Sequence, residues 1–431
     1  MRPSATRQLA PYALAATFLL AGWLNLARGA AHPGVSYRPW AFAHQSYSDL
    51  LAMGGDRYFN GGRPVPYLED RIEYPVLLGL ALWLPSFAPG GPLGYFTAGY
   101  LLLAACCLGT IWLLRRLPGA DAWWLAASPA LAWYAGLNWD LLPILLTVGA
   151  LAALARGRPG LAGALCALGV SAKLYPVALL PGAAGLLWRR PRDLARFGGA
   201  LAAVLLAVNL PVALAAPANF AWFFRFNGQR GAENSIWEAL PFALSPAALN
   251  RITAAALLAV AAFAGLAAWR AGGAPFPALP RRAGEGELPG DAGGLPSPDL
   301  TERRGGSGLA RAMAPGGRGL LAVRLGAGLV LVTWVAANKV WSPQYALYAL
   351  LAGALAAAPR AWMGALSAMA ILDYWLAFEY RARLLDPWFR DHAVSPGEWA
   401  RTALLAAFAV WLARALWRAA GAPPSSPEPA P

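Results

Sequence analysis

Apolar residues fill this chain in long runs that recur from residue 8 to residue 417, interrupted by short clusters of arginine, glycine and proline. The runs lack the two-residue alternation of a lipid-facing barrel strand and are rich in leucine and alanine, so they read as helices. About 20 apolar residues cross a bilayer, with roughly 17 as a working minimum. The pattern predicts an all-α polytopic membrane protein with about twelve transmembrane helices. They fall near 8–27, 92–114, 121–136, 139–155, 160–172, 177–188, 196–215, 250–269, 320–338, 344–358, 361–379 and 398–417. The pieces between 160 and 188 are short enough to cross only partly, or to be broken helices around a protein-enclosed cavity. The first run has the charge pattern of a secretory signal, but its length favours an uncleaved first helix.

Arginines supply the orientation. Arg115-Arg116, Arg156 with Arg158, Arg189-Arg190 with Arg192, the stretch 270–318, Arg360 and Arg418 all fall on one side of these spans, together with Arg2 and Arg7. The positive-inside rule makes that side, and both termini, cytoplasmic. The outer side receives 28–91, 216–249, the turns at 137–140, 173–176 and 339–343, and the loop 380–397. The first outer loop, 28–91, breaks the charge rule, since it mixes five arginines with Asp49, Asp56, Glu69, Asp70 and Glu73. That mixture predicts a structured working surface. Within the loop, the run from Tyr74-Pro75 to Phe87 predicts an interfacial helix. Residues 271–318, dense in glycine, proline, arginine and glutamate, predict a disordered cytoplasmic linker between membrane blocks at 1–270 and 319–418, and 419–431 a disordered tail.

Composition changes the picture in two places. The chain is 58% hydrophobic, 13% charged and carries a formal charge of +14. In a soluble protein that charge would suggest nucleic acid, but here it is the topology signal, and no nucleic-acid partner is expected. Of the 35 basic residues only Lys173 and Lys339 are lysines, each in a proline-bearing segment flanked by aromatic residues. Two ammonium groups kept where arginine is otherwise preferred suggest sites that need a compact, movable cation. The three cysteines lie inside apolar runs, and the three histidines are scattered. No metal constellation, Walker A loop, Rossmann fingerprint or nucleophile elbow is present, so no cofactor is expected.

The candidate chemistry lies in short motifs at predicted membrane boundaries. Asp49, in Ser46-Tyr47-Ser48-Asp49-Leu50, is either a helix cap or a carboxylate whose burial makes it a general base. Glu73, before Tyr74-Pro75, is either a capping charge or an acceptor-binding group. Asp140, in Asn138-Trp139-Asp140, is a cap for the next helix or an intramembrane functional acid. Lys173, with Tyr175 and Pro176, stands where two half-helices meet, suited either to holding a phosphate or to snorkelling. Arg230 lies in the polar loop Phe226–Trp237, facing phosphate or lipid headgroups. Lys339 and Gln344, in Asn338-Lys339-Val340-Trp341-Ser342-Pro343-Gln344-Tyr345, bring a cation and an amide into a helix break, a combination suited to carbohydrate or phosphate.

The order of these motifs resembles glycosyltransferase family 87: Tyr-Ser-Asp at 47–49, Glu-Tyr-Pro at 73–75, Asn-Trp-Asp at 138–140, Ala-Lys-Leu-Tyr-Pro at 172–176, Asn-Ser-Ile-Trp at 234–237 and Asn-Lys-Val-Trp-Ser-Pro-Gln-Tyr at 338–345. The resemblance covers residues 8–417 apart from 271–318. It implies a GT-C-like fold in the bacterial plasma membrane and an inverting glycosyltransferase working on the extracytoplasmic face. Such an enzyme moves a sugar, usually mannose, from a polyprenyl-phosphate-sugar donor to a glycolipid or glycan acceptor. Asp49 matches the position of the catalytic base, with Asp56 as the alternative. Lys173, Lys339 and Arg230 would then meet the phosphate. Glu73, Asp140 and Gln344 would meet sugar hydroxyls, with Tyr74 and Tyr175 lining the site. Two other readings of the same features are a lipid-linked-glycan flippase or secondary transporter, and a surface-polysaccharide polymerase or ligase.

Overall fold

A computed structural model describes residues 5–59, 62–272 and 317–421. The first membrane helix, α1 (Ala5–Leu26), leads into a long loop, where α2 (Tyr37–Ala43) and α3 (Asp49–Gly54) precede α4 (Val76–Trp83). Helix α4 begins directly after Pro75, whose fixed φ suits a helix start, and a single 3-10 turn extends it to Phe87. The expected helix from 75 to 87 is therefore present. It packs on α9 (Pro159–Ala172), which follows α5 (Gly91–Leu114), two four-residue helices α6 (Trp123–Ala126) and α7 (Leu131–Tyr134), and α8 (Leu141–Ala155).

Proline sets the breaks that follow. Helix α9 stops at Lys173, which is extended at φ −152° and ψ 147°, and a 3-10 turn containing Pro176 leads into α10 (Leu180–Leu187). Two long helices, α11 (Pro191–Ala215) and α13 (Pro246–Ala271), flank the aromatic helix α12 (Pro217–Gln229). After residues 273–316 come α14 (Gly317–Ala337), the break at Lys339 and Pro343, α15 (Ala346–Ala356), α16 (Arg360–Ala382), the single turn α17 (Pro387–Phe389) and α18 (Ser395–Gly421).

Seven stretches among the described residues are long and apolar enough to cross a bilayer: Gln8–Ala31, Gly91–Leu114, Pro191–Ala215, Pro246–Ala271, Gly317–Ala337, Arg360–Ala382 and Pro387–Gly421. The chain is thus an all-α, multi-pass membrane protein. The other expected spans are shorter pieces. Residues 141–155, 159–172 and 175–187 form short apolar helices. The region expected to cross at 121–136 is instead split into α6 and α7 around Ser128-Pro129, because the proline removes a backbone donor. The most enclosed span is α14, which packs on α10, α13, α15 and α18. It follows residues 273–316 and joins one core with α5 to α10, so the two expected membrane blocks share a single interior. The expected linker lies almost wholly outside the described residues, as do residues 422–431 of the expected tail.

Close helix crossings hold the wall on which the elements of the loop after α1 sit. Helices α9 and α11 meet at Gly163, where an added Cβ would lie 2.1 Å from the carbonyl oxygen of Phe197. Backbone cannot swing aside as a side-chain tip can, so Gly163→Val must separate the two helices. The expected cost is about 1–3 kcal/mol, seen as a lower midpoint in thermal unfolding of the detergent-solubilised protein.

Candidate functional site

The loop after α1 is stitched to the turn between α7 and α8. The amide of Asp49 donates to the Leu137 carbonyl at 2.8 Å, and the Ser48 hydroxyl donates to the Gly136 carbonyl at 2.5 Å. Ser48 also caps α3, accepting from the Leu50 amide at 3.2 Å. With the capping position taken by Ser48, the Asp49 carboxylate is free to point elsewhere, and the capping alternative for Asp49 does not apply.

That carboxylate meets Asn138. The Asn138 amide nitrogen donates to Asp49 Oδ2 at 2.6 Å and to the Tyr74 hydroxyl at 2.9 Å. Its oxygen accepts from Lys173 Nζ at 2.9 Å and from the Trp139 amide at 2.6 Å. One buried amide therefore uses both donors and both acceptor positions, which fixes its orientation. Tyr47 supplies a further hydrogen bond to Asp49. Burial raises the Asp49 carboxyl above the usual aspartate range, while the bonds from Asn138 and Tyr47 and the charge of Lys173 oppose that rise.

Beneath Asn138 lies a buried ion pair. Lys173 Nζ sits 2.8 Å from each oxygen of Asp140, and the Tyr348 hydroxyl donates to the same carboxylate. Asp140 makes no capping hydrogen bond to α8, and its side chain is 0% exposed against 11% for Lys173. Both Asp140 oxygens are thus engaged by Lys173, with Tyr348 bonded to one of them. Tyr175 lies behind the pair as well. Its hydroxyl donates to the Asp140 carbonyl at 3.3 Å, and its ring packs, tilted by 43°, with its centroid 4.1 Å from that of Tyr348.

A second cluster faces this one across the aromatic rings of Tyr345 and Tyr348, 5.5 Å apart. Tyr345 lies within electrostatic reach of Asp49 and Asp140 on one side and of Arg230 and Glu233 on the other. Lys339 donates to the Gly228 carbonyl at 3.0 Å and makes no ion pair among the described residues. Arg230 pairs with Glu233, which also lies 3.7 Å from Arg381. Arg230 and Arg381 thus share one carboxylate, and the Lys339 ammonium lies within reach of the Arg230 charge. Burial, with the neighbouring Arg230 charge, lowers the Lys339 ammonium below the ordinary lysine range, so an anion placed there would relieve it. Gln344 is buried in the turn beginning α15 and spends no side-chain hydrogen bond on the protein among the described residues.

Glu73 does not join either cluster. It pairs with Arg57 at 3.0 Å, alongside the bond from Arg57 to Asp70. The side chain of Asp56 lies outside the described residues. Sequence reasoning named the Asn-Trp-Asp motif but missed Asn138 as its working member, and missed Tyr47, Tyr348 and Arg381. Apolar helices and loops of mixed charge carry no periodic signal for partners as far apart in sequence as Asp49 and Asn138.

An apolar groove of about 340 Å³ lies between α9, α11 and α12, with Tyr74 in its lining. Leu174, Leu205, Leu210, Phe220 and Phe224 line it as well. The Tyr74 ring lies 5.4 Å from Lys173 Nζ.

The Asp49 environment has a measurable signature. Its raised carboxyl means that the folded protein binds a proton more readily than the unfolded chain, a stabilising contribution present at low pH and lost as pH rises through the raised value. The Asp49→Asn variant has no such loss. Its unfolding midpoint should therefore gain on the wild type as pH rises through the raised value, in parallel thermal scans.

No curated protein matches the chain. A family model does, that of glycosyltransferase family 87, over residues 73–282. That stretch holds Glu73, Tyr74, Asn138, Asp140, Lys173, Tyr175 and Arg230, while Asp49, Lys339 and Gln344 lie outside it. Over residues 73–282 the chain matches glycosyltransferase family 87, which together with its apolar helices supports a membrane glycosyltransferase.

Proposed function

We propose that this protein is an inverting transferase that moves a sugar, most simply mannose, from a polyprenyl-phosphate donor to a glycolipid or glycan acceptor on the extracytoplasmic face. The observation that carries the reading is that Asp49 and the cation cluster both lie within electrostatic reach of Tyr345, with an apolar groove lined by Tyr74 nearby. A lipid-phosphate donor has a long apolar tail, a phosphate and a sugar. The tail would lie in the groove, the phosphate against Lys339 and Arg230, and the sugar against Gln344.

In the chemical step, Asp49 accepts the proton of the acceptor hydroxyl as that oxygen forms a bond to the anomeric carbon. The bond from the anomeric carbon to the phosphate oxygen breaks, and its electron pair leaves with the polyprenyl phosphate. The departing phosphate gains negative charge, which Lys339 and Arg230 stabilise more strongly in the transition state than in the donor. Lys173 neutralises Asp140 and orients Asn138, so its contribution is to hold Asp49 in place. Tyr74 separates the groove from that network. Glu73 shapes the loop through Arg57.

Purified protein reconstituted with host lipid extract should transfer radiolabelled mannose from polyprenyl-phosphate-mannose. Asp49→Asn should lower the rate by about 10²–10⁴, the range for loss of a general base. Substantial residual transfer by that variant would remove Asp49 from its role. Absence of transfer by folded wild type across a panel of polyprenyl-phosphate sugars would remove the donor class.

Lys339→Ala should lower kcat/KM for the donor by roughly tenfold to a hundredfold, as expected for one charged hydrogen bond to phosphate. Steady-state kinetics with varied donor at fixed acceptor reads this directly.

A further inference from the structure

Lys339 and Glu233 sit on two loops that touch through one backbone bridge. The Glu233 amide donates to the Lys339 carbonyl at 3.0 Å, and the Trp341 amide donates to the Glu233 carbonyl at 2.9 Å. The Ser235 hydroxyl donates to the Lys339 carbonyl at 2.7 Å. The Trp237 indole donates to the Ala337 carbonyl at 3.1 Å, and the Lys339 ammonium to the Gly228 carbonyl at 3.0 Å, so the two segments move as one unit whose place is set from outside.

The holding groups come from the last two long helices. Asp373 of α16 accepts from the Trp341 indole N–H at 2.5 Å and pairs with Arg401 of α18. Arg401 donates to the Asn234 carbonyl at 2.5 Å and stacks its guanidinium 4.2 Å from the Trp341 ring centroid. Asn234 has a left-handed backbone, φ +48°, which asparagine adopts more readily than most residues, and its carbonyl accepts from Arg401 in that conformation. All four side chains are buried. The guanidinium fork suits this place, because one group meets a carboxylate, a carbonyl and an indole face together.

We infer that Asp373 and Arg401 are positioning residues that clamp the 233–235 and 339–341 loops and thereby set where Lys339 and Arg230 present their charges. The assignment of those charges to the donor phosphate rests on the function proposed above, whereas the clamp itself is a statement about loop geometry. Neither residue reaches the substrate. They act through Trp341 and Asn234, and Glu233 carries the effect to Arg230 and Arg381.

Site-directed labelling tests the clamp without reference to activity. The native cysteines Cys106, Cys107 and Cys166 are buried, so an anionic methanethiosulfonate reads an introduced thiol. In a Lys339→Cys protein, adding Asp373→Asn or Arg401→Lys should change the labelling rate at position 339 by roughly tenfold, the equivalent of one charged hydrogen bond. A control Val35→Cys, on a loop residue that is 99% exposed, should label at the same rate in every background. An unchanged rate at position 339 in both variants would overturn the clamp.

Kinetics then tests its use. Asp373→Asn should raise the donor KM more than it lowers kcat, and should add nothing further in a background carrying both Lys339→Ala and Arg230→Ala, because the clamp acts through those two charges. Losses that multiply across that background would overturn the positioning role. A wild-type protein that transfers no sugar from any polyprenyl-phosphate donor would defeat the proposed function, while the labelling experiment would still decide the clamp.

Discussion

The ion pair between Asp140 and Lys173 is the constraint on which the site depends. A buried carboxylate is tolerated only with a partner and filled hydrogen-bonding positions, and Asp140 has Lys173 on both oxygens and Tyr348 besides. Removing either partner alone would strand a charge in the interior, at a cost of about 3–5 kcal/mol. The pair thereby locks α8 to the break after α9, and the third bond of Lys173 locks Asn138. Asn138 in turn aims Asp49. A proline-induced break in one apolar helix thus fixes the position of a carboxylate in a loop more than a hundred residues earlier in the chain.

Aromatic rings complete this arrangement. Tyr175, Trp334, Tyr345 and Tyr348 form a contiguous set, with neighbouring centroids 4.1 to 6.2 Å apart. They wall the buried pair from the cation cluster and bury large apolar area while offering hydroxyls at their edges. On the far side of the cluster, Phe42, Tyr47 and Phe378 pack together, and Arg381 lies over Phe378. The catalytic candidate and the cations therefore share one aromatic frame. Charges held in such a frame can be preorganised, since the rings keep water from relaxing them.

The resemblance read from scattered motifs and the match over residues 73–282 converge on glycosyltransferase family 87. The matched stretch contains the buried pair and its Asn138 bridge, whereas Asp49 and Lys339 come from chain on either side of it. The central architecture of the site is thus carried by the matched stretch, and the groups proposed for chemistry are brought to it from outside.

The amino-acid sequence by itself determined the helical membrane class, because long apolar runs have no other way to satisfy backbone hydrogen bonds in lipid. It also determined the breaks at Lys173 and Lys339, which follow from Pro176 and Pro343, and the helix after Pro75. It drew attention to both lysines through composition alone. Only the tertiary structure decided that they do different work. Lys173 is neutralised by Asp140, while Lys339 has no carboxylate partner among the described residues. It likewise decided that Ser48 rather than Asp49 caps α3, and that Asn138 joins the two acids. These outcomes depend on which side chains meet across spans distant in sequence, and local pattern reports only the propensity of a segment, not its partners. The same limit hid Asp373 and Arg401, two charges in helices whose hydrophobic pattern marked them merely as spans.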